Sequence, residues 1–271
     1  MAKDFLATMA EHSQRRVRAA IREESLESLR ARALSTNRPP RMKLDSAGFD
    51  LIAEIKLSAP SAGRLVDAGM DIATQARTYA AAGAAAVSVL TEPRRFSGSL
   101  EHLSTVSAAL AEHRVPAMRK DFLVHPYQVW EARAAGAGGV LLILKLLDDA
   151  VLPDMLAAAS EAQLFVLLEA FDKADLGRCR RVAVIPALLV GLNCRNLRSL
   201  AIEPGRFGQL AGDFPEGPPR VAESGLDSPA DVALVAGLGY DLALVGSALM
   251  QSSAPGELLR DMLEAGREVR V

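Results

Sequence analysis

Eight short apolar runs, separated by helix-length segments, constrain this chain more than any other feature. They cover residues 50–56, 85–92, 116–122, 138–144, 164–170, 187–194, 220–225 and 242–246. Most are nearly continuous in Val, Ile, Leu and Ala rather than alternating with polar residues. Parallel strands buried on both faces read this way. Segments such as 71–82, 127–135, 147–162 and 228–237 have helical length and lie between runs. Unbroken strand–helix alternation predicts a parallel sheet. Eight such units in about 200 residues fit a closed (β/α)8 TIM barrel. An open doubly wound sheet would want a GxGxxG turn after the first run, and none stands there.

The stretch up to about Ala33 is rich in Arg, Glu, Ala and Leu and reads as one or two amphipathic helices, broken at 37–40. The expected organisation is a helical extension over 1–45, packed on a single-domain barrel over 46–271. Half of the 271 residues are apolar, enough for a large core. A net charge of -2 argues against a nucleic-acid or membrane-surface partner. The Arg178, Arg180 and Arg181 cluster reads as a solvated helix face. Cys179 and Cys194 have no CxxC spacing and no neighbouring His pair, so no metal site is expected, and a disulfide between them stays open. The first residues lack a signal-peptide pattern, and the longest apolar stretches, 134–144 and 182–194, are too short to span a bilayer. A cytoplasmic enzyme, monomeric or weakly dimeric, is expected.

In such a barrel the chemistry sits at the C-terminal ends of the strands. Six runs end in charged or polar residues there: Glu54 and Lys56; Arg119, Lys120 and Asp121; Glu169; Asn193 and Arg195; Glu223 and Ser224; and Ser247. Glu54 and Lys56 are two apart, so they share one face of the strand. Taken alone they fit a structural ion pair, but six coincident positions on one rim point to a site. Ser224-Gly225 and Gly246-Ser247 follow the last two strands, where small residues let backbone N–H groups approach a phosphate. Asp172, Asn196 and Ser228 sit where helix N-caps are wanted.

These residues stand in a longer pattern. It contains Glu54-Ile55-Lys56; Leu90-Thr91-Glu92 with Phe96-Ser97-Gly98-Ser99-Leu100; Arg119-Lys120-Asp121-Phe122; Leu168-Glu169; Asn193-Cys194-Arg195; Glu223-Ser224-Gly225; and Gly246-Ser247, in order over most of the chain. The pattern resembles the indole-3-glycerol-phosphate synthase family of tryptophan biosynthesis. That resemblance implies a carbon–carbon lyase that closes an indole ring with loss of carbon dioxide and water. The implied substrate is an anthranilate joined through nitrogen to an opened ribulose phosphate. It implies no metal and no organic cofactor. Carried over by position, Glu54, Lys56, Lys120, Glu169, Asn193 and Ser224 form the implied catalytic set. Ser61 and Arg195 would hold the substrate, Gly225, Gly246 and Ser247 its phosphate, and Phe96 and Phe122 would shape an aromatic pocket.

The implied chemistry suits those residue types. Ring closure needs the ketone oxygen protonated as the aromatic carbon attacks, and an ammonium serves as general acid. Lys120 is the choice for that role. A second proton leaves with the departing hydroxyl and another comes off the ring nitrogen; Lys56 or Glu169, with Glu54, supply an acid and a base. Several positions depart from the family pattern. Leu57 replaces a usual basic residue, and Ser58-Ala59 reverses a usual order. Phe171 stands where His is common, Cys194 where Asn is, and Asn196 where Asp is. They motivate an alternative reading, a paralogue doing the same chemistry on a modified anthranilate. A non-catalytic sugar-phosphate-binding barrel is a further alternative, opposed by retention of both lysines and both glutamates.

Overall fold

Side chains on a strand alternate between its two faces, so each strand here carries two apolar sets with different destinations. In this computed structural model, which describes residues 5–45, 48–59, 63–64, 70–182, 187–196, 199 and 201–270, both destinations are interiors. The strands are β1 (Asp50–Ile55), β2 (Ala86–Leu90), β3 (Ala117–Lys120), β4 (Gly139–Ile143), β5 (Phe165–Ala170), β6 (Leu188–Asn193), β7 (Arg220–Glu223) and β8 (Leu242–Val245). All pair in parallel in sequence order, and β8 closes onto β1. Every strand sends at least one residue into the barrel interior, Ile52, Ala86, Met118, Leu141, Leu167, Leu189, Val221 and Leu242, and Ile143, Phe165 and Leu244 join them. Their neighbours, such as Leu51, Val87, Val140, Val166 and Val190, pack outward under the helices. At the lower end Phe165 occupies the space where a Cβ on its register partner Gly139 would lie 2.4 Å from the ring.

The helices between strands are α3 (Ile72–Ala81), α4 (Leu100–Leu110), α5 (Pro126–Ala134), α6 (Leu152–Glu161), α7 (Lys173–Cys179), α8 (Gly205–Leu210) and α9 (Pro229–Gly237); α10 (Ser247–Gln251) and α11 (Pro255–Glu268) follow β8. Asp172 accepts from the Asp175 amide as the cap of α7. Ser228 forms a capping box with Asp231 at α9. Asn196 does not cap a helix. Its Oδ1 accepts from the Ser199 amide and its Nδ2 donates to Glu203, so it closes a turn ahead of α8. The segment expected to be helical from 147 begins only at Leu152, because Asp148 Oδ1 takes the amides of Ala150 and Val151 and Pro153 then enters the first turn. Cys179 and Cys194 are both free and buried. Arg178 is not simply solvated: it donates to the carbonyls of Leu144 and Leu147 and pairs with Asp149.

The N-terminal residues form two helices, α1 (Phe5–Glu23) and α2 (Leu26–Ser35). Leu6 and Met9 of α1 join the interior cluster together with Phe122 and Phe171, so α1 lies over the C-terminal mouth of the barrel. Tyr127 of α5 donates to the carbonyls of Ala20 and Glu24 and ties down the helix end. α2 runs beside α5. The following segment then passes the opposite end, where Pro40 O lies against Gly138 and Met42 packs on the interior cluster. Among the described residues no helix is long and apolar enough to cross a membrane.

Candidate active site

The residues that face the barrel interior change character along each strand. Ile52 is followed at the same parity by Glu54 and Lys56, Met118 by Lys120, Leu167 by Glu169, Leu189 by Gly191 and Asn193, and Val221 by Glu223. Apolar side chains therefore fill the lower layers, and ionisable ones meet in the upper layer. The cavity above them measures about 150 Å³. Its lining includes Glu54, Lys56, Lys120, Glu169, Asn193, Arg195, Ser224 and Ser247. Phe96 and Phe122 line its apolar side. Gly225 and Gly246 sit in the rim turns beside it. Ser61 lies outside the described residues.

Glu54 is the centre of the charged layer. One carboxylate oxygen is 3.1 Å from Lys56 Nζ and the other 3.3 Å from Lys120 Nζ. Lys120 Nζ also lies 3.5 Å from Glu223 Oε2. Asn193 Nδ2 donates to Glu169 Oε1 at 2.5 Å, while its Oδ1 accepts from the Arg195 amide. Burial raises the pKa of Glu54, but the ammoniums of Lys120 and Lys56 outweigh it and the net shift is downward. Burial likewise pulls Lys120 down, and the carboxyls of Glu54, Glu223 and Glu169 push it further up, so it stays charged. Glu223 is fully buried; burial and the nearby Glu169 charge raise it to about 8, against the opposing pull of Lys120. Glu169 is raised as well, chiefly by burial. At neutral pH these two carboxyls thus hold a proton between them, beside the charged ammonium of Lys120.

Two glycines are required by these carboxylates. A Cβ at Gly191 would lie 2.0 Å from Glu223 Oε1, and one at Gly246 would lie 2.5 Å from Glu54 Oε1 and 3.0 Å from Lys56 Nζ. In the turn after β7, Ser224 and Gly225 both have left-handed backbone, with φ of 72° and 67°. Cys194 Sγ donates to the Ser224 carbonyl at 3.2 Å. Its thiol is fully buried and its pKa is pushed up by that burial, so it packs and braces rather than reacts.

The cavity holds residues that sequence reasoning left out. Phe5 and Leu6 enter from α1, and the Phe5 ring meets Phe122 edge-on at 5.8 Å. Phe171 lines the apolar side as well. Asp121, one residue past β3 and of opposite parity to Lys120, has a fully buried side chain at the cavity's edge. It accepts from both Arg16 nitrogens at 2.8 and 2.7 Å, from Arg119 at 3.2 Å, from Thr91 at 2.8 Å and from the Phe122 amide at 2.8 Å. Burial raises its pKa, yet the Arg16 and Arg119 guanidiniums bring it down to about 2. Glu92 accepts from the amides of Arg94, Arg95 and Phe96, which fixes the loop that carries the Phe96 ring. Glu223 was visible as a polar strand end but stood outside the implied catalytic set; its inward parity was the available signal. Among the described residues no group of His, Cys, Asp and Glu is placed to hold a metal ion.

Comparison with solved structures finds other barrels of the same fold. The chain superposes on 3-hexulose-6-phosphate synthase from Salmonella typhimurium with a TM-score of 0.62 at 13% identity, covering 81% of this chain and 99% of that one. Thiamine phosphate pyrophosphorylase from Pyrococcus furiosus gives 0.59 at 16% identity over 81% and 96%. At such identities the likeness concerns the fold alone. Sequence relatives are nearer. The indole-3-glycerol phosphate synthase of a Nocardioides species is 46% identical over 241 residues, 88% of this chain and 90% of the relative. That of Micrococcus luteus is 43% identical over 228 residues, 84% and 82% respectively. That of Beutenbergia cavernae is 41% identical over 248 residues, 92% and 87%. The family profile described as Indole-3-glycerol phosphate synthase matches residues 6–262. By profile and by identity, the chain belongs to the indole-3-glycerol phosphate synthase family.

Proposed function

We propose that the protein converts 1-(2-carboxyphenylamino)-1-deoxyribulose 5-phosphate to indole-3-glycerol phosphate, with loss of carbon dioxide and water. The observation that carries this reading is the upper layer of the barrel: two ammoniums bridged by Glu54, next to a proton-holding carboxyl pair, under an aromatic wall. Phe96, Phe122 and Phe5 suit the anthranilate ring. Lys120 donates a proton to the ketone oxygen as the ring carbon attacks; the forming alkoxide is a far stronger base than an amine, so the transfer runs downhill. Loss of carbon dioxide restores the aromatic ring. A second proton then goes out with the hydroxyl, and one leaves the new ring. Lys56 and Glu169 are positioned for the first of these transfers and Glu54 for the second. Asn193 holds the Glu169 carboxyl by its amide and Ser224 borders the same space. Arg195 holds the substrate by its charge, together with Ser61. The turns at Gly225, Gly246 and Ser247 take the phosphate through backbone N–H groups. The same reading makes the protein a cytoplasmic enzyme of tryptophan synthesis, monomeric or weakly dimeric.

A second reading keeps the chemistry and changes the substrate. Phe171 in the cavity, where the family pattern commonly has His, makes that wall more apolar and suits a substituted anthranilate. Turnover of the plain and ring-substituted adducts, followed by indole absorbance and product mass, tests both. Efficient turnover of the plain adduct supports the first reading; turnover of the substituted adduct alone supports the second. No indole product from either adduct by folded protein contradicts both.

A further inference from the structure

The end of the barrel remote from the cavity carries a cleft of about 770 Å³. Its walls are the segment after α2, the turn after α4 and the end of α5. Arg38, Arg41, Lys43 and Arg114 line it, and no Asp or Glu does. None of these four cations makes an ion pair among the described residues. Beneath them Arg133, in the last turn of α5, is only 4% exposed, yet its guanidinium finds neutral partners alone, the hydroxyl and carbonyl of Thr36. A covered cation without a carboxylate is unusual, since buried charges are as a rule paired. Burial lowers the Arg133 pKa, and the nearby charge of Arg38 lowers it further. Three helices, α2, α4 and α5, end at this cleft, and their C-terminal dipoles offset part of the charge. Together they supply about one and a half negative charges against five formal positive ones. Among the described residues no carboxylate pairs with the remainder.

We propose that this cleft is a second anion site, which takes a small phosphate-bearing molecule. The volume lies within the range of small-molecule pockets, roughly 300–1,000 Å³. Guanidiniums match phosphate oxygens two at a time. The Ser107 hydroxyl adds a neutral donor, since its Oγ has no hydrogen-bond partner among the described residues, whereas the Ser104 hydroxyl donates to the Leu100 carbonyl. Pro39, Pro40 and the alanines of α4 and α5 offer an apolar wall for the body of the molecule. A nucleic acid or a membrane would want an extended basic face, and this charge is gathered in one concave place on a chain of net charge -2.

Pyrophosphate is a sufficient probe. Calorimetric titration at low salt compares the full chain with the Arg38→Glu/Arg114→Glu variant, whose changes lie far from the catalytic layer. The wild type is expected to bind one equivalent more than the variant, whatever the catalytic rim itself binds. That extra affinity falls by roughly an order of magnitude or more when salt screens the charges. The variant keeps its kcat and KM, which shows that it is folded. The milder Arg41→Ala/Lys43→Ala variant weakens the same equivalent without abolishing it. Equal stoichiometry and affinity in wild type and both variants would overturn the proposal, as would an extra equivalent that is insensitive to salt.

Discussion

At the scale of single residues, the site is a set of compensated burials. Glu54, Glu223 and Lys120 each lose hydration in the upper layer, and each recovers it from the others rather than from solvent. Glu223 is the least compensated. Its folded pKa of about 8 lies above its unfolded value, so between these the folded state binds more protons than the unfolded one. Stability therefore declines as pH rises from the ordinary carboxylate range towards 8. Glu223→Gln removes that titration, and its unfolding temperature should fall less than the wild type's between pH 5 and pH 8. Parallel slopes for the two proteins would contradict the assignment. The sequence made Glu223 visible only as a polar strand end. What it could not give is the distance from Lys120, which depends on how two strands four places apart in the barrel face one another.

At the scale of elements, period-two alternation makes the site. It puts Lys120 into the cavity and Arg119 behind the wall, with the buried Asp121 at the cavity's edge, from three consecutive residues. The eight strands were legible because each is buried on both faces and so reads as an unbroken apolar run. Their ends were less so: β2 stops at Leu90 and β3 at Lys120, two residues short of the expected runs, because Thr91-Glu92 and Asp121-Phe122 already belong to loops held by the Glu92 and Asp121 carboxylates. Gly246 was read as a phosphate residue and Gly191 was not singled out, yet their lack of a Cβ is what admits Glu54 and Glu223 respectively. Gly246→Ala should leave the fold intact by circular dichroism while it displaces Glu54 and Lys56. Displacement of about 1 Å in such a site can lower kcat on the order of a hundredfold. A kcat equal to wild type would mean that Glu54 does not need its observed position.

At the scale of the whole molecule, the N-terminal helices connect both ends of the barrel. α1 crosses the mouth, α2 follows α5, and the segment beyond Ser35 reaches the far end. Composition pointed to one or two helices but not to the faces they cover, since Leu6 and Met9 look like any amphipathic pair until the barrel supplies Phe122 and Phe171 as partners. The Arg16–Asp121 pair joins α1 to the residue next to Lys120, and no sequence pattern relates positions so far apart. Phe5 lines the cavity and packs edge-to-face with Phe122, an apolar contact. Phe5→Ala should therefore raise KM several-fold and leave kcat nearly unchanged, as expected when binding is lost equally from ground and transition states. A fall in kcat with unchanged KM would place Phe5 in the chemistry instead.

The central claim is that Lys120 supplies the proton that closes the ring. The direct measurement is kcat of Lys120→Ala against wild type on the carboxyphenylamino-deoxyribulose phosphate, followed by indole absorbance. The account predicts a loss of about 10²–10⁴ in kcat, the usual contribution of a general acid, with the variant folded. Turnover within about threefold of wild type would contradict it, because a positioned acid contributes far more than that.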